Sequence, residues 1–93
     1  MAGAFCVDAC NSALTYAKGK GEAYAGLVKV IEDCVELCSL RESFERRGSA
    51  LLGQAKALCA DACSRCASAC EAMNDDNLSN CIKECRACSS QCC

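Results

Sequence analysis

One spacing occurs twice in the last third of this chain. Cys59, Cys63, Cys66 and Cys70 are four, three and four residues apart, and Cys81, Cys85, Cys88 and Cys92 repeat those steps. At about 100° per residue, each set falls within an arc of roughly 60° on an α-helix and forms one stripe of sulfur. On a strand, whose side chains alternate, the same residues would scatter over both faces. Two helices, each with a thiol seam, set the frame that the rest of the chain has to fit.

The same steps recur upstream with fewer sulfurs. Cys6, Cys10, Ala13 and Ala17 predict a helix over about Gly3 to Lys18. Lys18 suits its carboxyl end, and Gly19 and Gly21 end it. Leu27, Ile31, Cys34 and Cys38 predict a second, longer helix over about Glu22 to Arg47, with Val30, Leu37 and Phe44 widening its apolar face. Arg46 and Arg47 followed by Gly48 form a stop signal. Ser49 is the expected N-cap of a third helix, about Ala50 to Met73. Asp76 or Asn77 is the expected cap of a fourth, about Leu78 to Cys92. No proline interrupts any of them. Four helices on short loops imply an all-α fold: one domain, 1–93, an antiparallel up-down-up-down four-helix bundle with a cysteine-lined core.

A rise of ~1.5 Å per residue, counted from the end holding the Gly19–Gly21 and Asn74–Asn77 turns, predicts shared layers. Cys70 and Cys81 come out level with Ala17 and Leu27, and Cys66 and Cys85 with Ala13 and Ile31. Cys63, Cys88, Cys10 and Cys34 share the next layer, and Cys59, Cys92, Cys6 and Cys38 the last. Phe44, Leu51, Leu52 and Ala55 run past that last layer, so this end is the expected contact of a homo-oligomer.

Composition narrows the chemistry. Of 93 residues, 13 are cysteine and none is histidine, which removes Cys-His catalysis and the histidine-containing zinc motifs. With no base beside a thiol, no enzyme is expected. Net charge is −2 with both signs interspersed, so there is no basic field for nucleic acid. No apolar run is long enough for a membrane span. Met1 to Phe5 carries no basic leader, so a cytoplasmic location with reduced thiols is expected.

Three readings of the sulfur compete. Cysteine can act as a small hydrophobe, but alanine does that without oxidation and is the better helix former. Disulfides would have to join different helices, because Cβ atoms at i and i+4 are ~5–6 Å apart, beyond the ~3.8 Å a disulfide needs. Metal remains. Thiolate selects Cu(I), zinc or iron–sulfur clusters. Steps of four and three make a ladder of low-coordinate sites, which Cu(I) tolerates, while zinc wants closed tetrahedra. One Cu(I) per thiolate leaves a neutral core. A zinc tetrathiolate carries −2, and no lysine or arginine is expected on the stripes to offset it. The metal reading takes in Cys6, Cys10, Cys34, Cys38, Cys59, Cys63, Cys66, Cys70, Cys81, Cys85, Cys88, Cys92 and Cys93.

From Leu27 to Cys93 the chain resembles the bacterial copper storage proteins. The matching words are Asp33-Cys34-Val35-Glu36-Leu37-Cys38, the Arg46-Arg47-Gly48-Ser49 turn, and the doubled runs at 59–70 and 81–92. The resemblance implies a bundle whose bore is lined with thiolates and holds multiple Cu(I) ions. That family often has histidines at the mouth of the bore. Here the turn is Glu71-Ala72-Met73-Asn74-Asp75-Asp76-Asn77, and Met73 is the soft donor in place to serve there, with Cys70 and Cys81. Cys92 and Cys93 form the rival door. Expected partners are copper ions and a copper chaperone or recipient cuproprotein. A zinc reservoir and a disulfide-stapled bundle stand as alternatives.

Overall fold

A computed structural model describes residues 2–91. It contains four α-helices: α1 (Ala2–Lys18), α2 (Ala25–Arg47), α3 (Leu52–Ala72) and α4 (Ser79–Gln91). Short 3₁₀ turns, Gly21–Tyr24 and Asp76–Leu78, lead into α2 and α4. Each helix packs on the next in chain order, and α4 returns against α1, closing a four-helix bundle with extents of 39 × 20 × 17 Å.

The seams face inward as their spacing requires. Cys6, Cys10, Cys34, Cys38, Cys59, Cys63, Cys66, Cys70, Cys81, Cys85 and Cys88 are all buried, with Ala13, Ala17, Leu27, Ile31 and Leu78 completing the core. Sulfur contacts also report the direction of each packed pair. Between α1 and α2, Cys6 meets Cys38 at 3.7 Å and Cys10 meets Cys34 at 3.7 Å. Between α2 and α3, Cys34 meets Cys63 at 3.6 Å and Cys38 meets Cys59 at 3.0 Å. Between α3 and α4, Cys59 meets Cys88 and Cys66 meets Cys81, both at 3.8 Å. In each pair the numbers rise on one helix as they fall on the other, which is the register of oppositely directed neighbours.

The helix ends follow local chemistry, with two corrections. Gly48 ends α2 in the left-handed region at φ 61°, and the Ser49 N–H donates to the Phe44 carbonyl at 2.9 Å. Ser49 does not cap α3. Its hydroxyl accepts from the Leu51 N–H at 3.1 Å, and Leu51 holds the cap position with no side-chain bond. The cap ahead of α4 is Asp75, not Asp76 or Asn77. Its carboxylate accepts the Asn77 N–H at 3.0 Å and so starts the 3₁₀ turn.

Asp75 also joins the two turns at this end. The hydroxyls of Tyr16 and Tyr24 both donate to its Oδ2, at 2.6 and 2.7 Å. The Asn77 side-chain amide donates to Asp75 Oδ1 at 3.0 Å and to the Tyr16 hydroxyl at 3.1 Å. The tyrosine rings stand edge to face, 6.3 Å between centroids. Together these groups form a polar latch across the bundle end.

The latch gives a signed pH dependence. Hydrogen bonds from Tyr16 and then Tyr24 hold the Asp75 carboxyl well below the usual carboxylate range. A depressed folded value means the stabilisation is present above pH ~4 and is lost as pH falls through the folded value. Asp75→Asn is therefore expected to lower urea stability at pH 7 and to flatten its fall between about pH 4 and pH 2. A variant with wild-type acid dependence would show that the latch carries no stability.

Candidate metal centre

Four groups of thiols each have every sulfur within 4.8 Å of the others in the group. They are Cys6, Cys34, Cys63 and Cys85; Cys6, Cys38, Cys63 and Cys88; Cys10, Cys34, Cys66 and Cys85; and Cys66, Cys70 and Cys81. Cys6, Cys34, Cys63, Cys66 and Cys85 each belong to two groups, so the groups are links of one column. Cys59 extends it through Cys38 and Cys88, at 3.0 and 3.8 Å. Eleven predicted thiols are thus brought together. All eleven are buried thiols, and the shortest of these contacts, 3.0 Å, is well beyond an S–S bond of ~2.05 Å.

The layers differ from the predicted ones. Cys66 and Cys85, expected opposite Ala13 and Ile31, share a four-thiol group with Cys10 and Cys34. Cys63 and Cys88 sit with Cys6 and Cys38 instead. The cause lies in the turns. Starting α2 at Ala25 rather than Glu22 removes three residues of helical rise, ~4.5 Å, from the depth of Cys34. The sulfurs consequently stagger into overlapping groups rather than separate tiers.

The predicted absence of a cation from the stripes is also wrong. Arg41 follows Cys38 by three residues, continuing the seam of α2, and is 1% exposed. Its Nη1 donates to Glu45 Oε1 at 3.0 Å. Composition alone hid this, because the residue reads as polar while its phase places it with the thiols. Counting the four-three step past Cys38 would have found it.

Of the remaining predicted donors, Met73 is half-buried at the end of α3 and packs on the core beside the column. Next to it, Cys70, Glu71, Asn74, Asp75, Asp76, Ser79 and Ile82 line an open hollow of about 250 Å³. Cys70 is the core thiol that reaches this hollow. Cys92 and Cys93 lie outside the described residues.

Burial opposes ionisation throughout the column, while neighbouring thiols favour it unevenly. A hydrogen bond donated by Cys10, and a second contact with Cys38, draw the Cys34 thiol down to about 6. Cys10 also draws Cys81 down to about 5. Cys66 and then Cys81 push Cys70 up. Some thiolates are favoured only while adjacent thiols stay protonated, so a fully ionised column needs cations among the sulfurs. Soft cations are the ones that thiolate binds best.

No curated protein and no solved structure matches the chain. A family model described as copper storage protein matches residues 2–93. A column of shared, buried thiolates is what such a task requires, and by this match the chain belongs to the copper storage protein family.

Proposed function

We propose that this protein is a Cu(I) reservoir, an up-down-up-down bundle that takes many cuprous ions into its thiol column and performs no catalysis. The observation that carries this reading is the sharing of five thiols between adjacent groups. Shared sulfurs suit a cation that accepts two or three ligands and bridges, since each thiolate then serves two ions. Closed zinc tetrathiolates at −2 each would leave this core strongly anionic. Cys6, Cys10, Cys34, Cys38, Cys59, Cys63, Cys66, Cys70, Cys81, Cys85 and Cys88 are the proposed ligands, with Cys92 and Cys93 continuing the set.

Uptake is proposed at the latch end. Cys70 meets the open hollow there, and Cys81 lies in the same three-thiol group. Met73 is the proposed receiving thioether. Ions then pass down the column from one group to the next. The protein is proposed to act in the cytoplasm, where thiols stay reduced, receiving copper from a chaperone or giving it to a cuproprotein.

A homo-oligomer is proposed through the α2–α3 face. Leu40, Leu51 and Leu58 are 42%, 54% and 54% exposed. Leu40 and Leu58 line a groove of about 730 Å³ with Val30 and Leu37. Of the overhang predicted to form this contact, Leu51 is exposed, Phe44 and Leu52 are half-buried and Ala55 is buried, and further exposed leucines, Leu40 and Leu58, lie along the same two helices. Light scattering of concentrated protein is expected to show more than one copy, and Leu58→Glu to shift the mass toward monomer. A wild-type monomer at high concentration would refute the interface.

Titration of the reduced, anaerobic protein against a coloured Cu(I) chelator is expected to show many equivalents withheld from the chelator. Zinc should compete poorly at matched stringency. Cys70→Ala with Cys81→Ala should slow uptake while most of the capacity remains. Saturation at one or two ions would count against storage.

A further inference from the structure

The middle link of the thiol column has the dimensions of a closed coordination site. Cys6, Cys34, Cys63 and Cys85 come one from each helix, and all four are fully buried. This group shares Cys6 and Cys63 with the group on one side, and Cys34 and Cys85 with the group on the other. From Cys6 the sulfurs of Cys34, Cys63 and Cys85 lie at 4.0, 3.6 and 3.7 Å. From Cys34 those of Cys63 and Cys85 lie at 3.6 and 3.8 Å. The sixth edge, Cys63 to Cys85, is within 4.8 Å. A tetrahedral ion with metal–sulfur bonds of ~2.3 Å sets its sulfurs ~3.75 Å apart. Such an ion would enter this group with little movement of the helices. A linear two-coordinate ion would have to spread two of its sulfurs to ~4.5 Å, two such bond lengths.

Charge limits the number of such ions. Zn²⁺ plus four RSH gives Zn(SR)₄²⁻ and four protons released to solvent, with no change of oxidation state. One filled middle group therefore buries −2, whereas filling the two flanking groups would bury −4. The middle group also has a thiol on each side of it. Cys10 lies 3.8, 3.7 and 3.4 Å from Cys6, Cys34 and Cys85, and donates to Cys34. Cys38 lies 3.7, 4.0 and 3.4 Å from Cys6, Cys34 and Cys63, and donates to Cys6. Each flanking thiol thus touches three of the four ligands and offers its proton to the thiolate charge.

We infer that the copper-free bundle holds a single structural zinc ion at Cys6, Cys34, Cys63 and Cys85, one ligand from each helix. The ion clamps four helices whose core has few large side chains and whose thiol contacts are weak. It is bound by the folded chain, so its binding adds directly to stability. Filling with Cu(I) takes the same four sulfurs and expels it. This goes beyond the reservoir reading and holds whether or not copper fills the column.

The reduced, anaerobic, copper-free full chain is titrated with Zn²⁺ against a chromophoric chelator. One equivalent is expected to be held against a chelator that strips all further zinc. Zinc-edge X-ray absorption of that form should show four sulfurs at ~2.3 Å. The same equivalent should raise the urea midpoint, and a second should not. Cys34→Ala and Cys85→Ala are expected to weaken the tight equivalent at least ~100-fold, and Cys10→Ala, which removes a donor but no ligand, about 10-fold. No tightly held zinc, fewer than four sulfurs, a second equivalent held equally well, or alanine variants that bind like wild type would each overturn the inference. Should the variants fail to fold, the absorption spectrum and stoichiometry of the wild type decide. Copper filling without a tight zinc site removes this inference alone. A tight zinc site in a protein that takes only one or two Cu(I) ions removes the reservoir reading and leaves this one standing.

Discussion

Sulfur packed against sulfur is the contact on which the structure depends. Thiols from all four helices meet in the bore, most of them 3.4 to 4.0 Å from several others. A thiol is a weak donor and a weak acceptor, so these contacts hold the helices no better than small apolar side chains would. Large core side chains are few, chiefly Leu27, Ile31 and Leu78. The narrow bore follows from that choice. With cysteine and alanine on the inward stripes, the helices approach closely enough to bring sulfurs from different helices within bridging reach of one another.

A core of this kind needs its ends secured by other means. At one end Asp75 gathers two tyrosine hydroxyls and fixes the two turns to each other. Glu71 and Arg86 pair across α3 and α4 just below it. At the far end Gly48 supplies the left-handed turn between α2 and α3, and Arg41 closes the seam. The open side of the latch end coincides with the hollow at Cys70. Rigidity and access thus meet at one place.

Much of this was legible in the order of residues. The four-three-four step fixes both the secondary structure and the inward face, because only a period near 3.6 keeps such positions aligned. Gly48 after two arginines located the end of α2 correctly. What escaped was set by tertiary geometry. The depth of each thiol depends on how the 3₁₀ turns use up chain, and a shift of three residues at the start of α2 moves Cys34 toward the level of Cys66 and Cys85. Asp75 looked like one acid among several in a polar turn, and only the fold brings Tyr16 and Tyr24 to it. Arg41 was overlooked because a charged residue is expected at the surface.

The staggered, shared arrangement distinguishes this column from a stack of separate sites. An ion bound in one group would already touch thiols of the next, so movement along the bore would require exchange of one ligand at a time. The most direct measurement of the central claim is anomalous diffraction at the copper edge from crystals of the Cu(I)-loaded protein. The account predicts a continuous file of copper peaks along the bore, from the Cys66, Cys70 and Cys81 group to the level of Cys38, Cys59 and Cys88, each ion bound by two or three sulfurs. Copper confined to surface carboxylates, or a bore whose thiols have closed into disulfides and hold no metal, would contradict it.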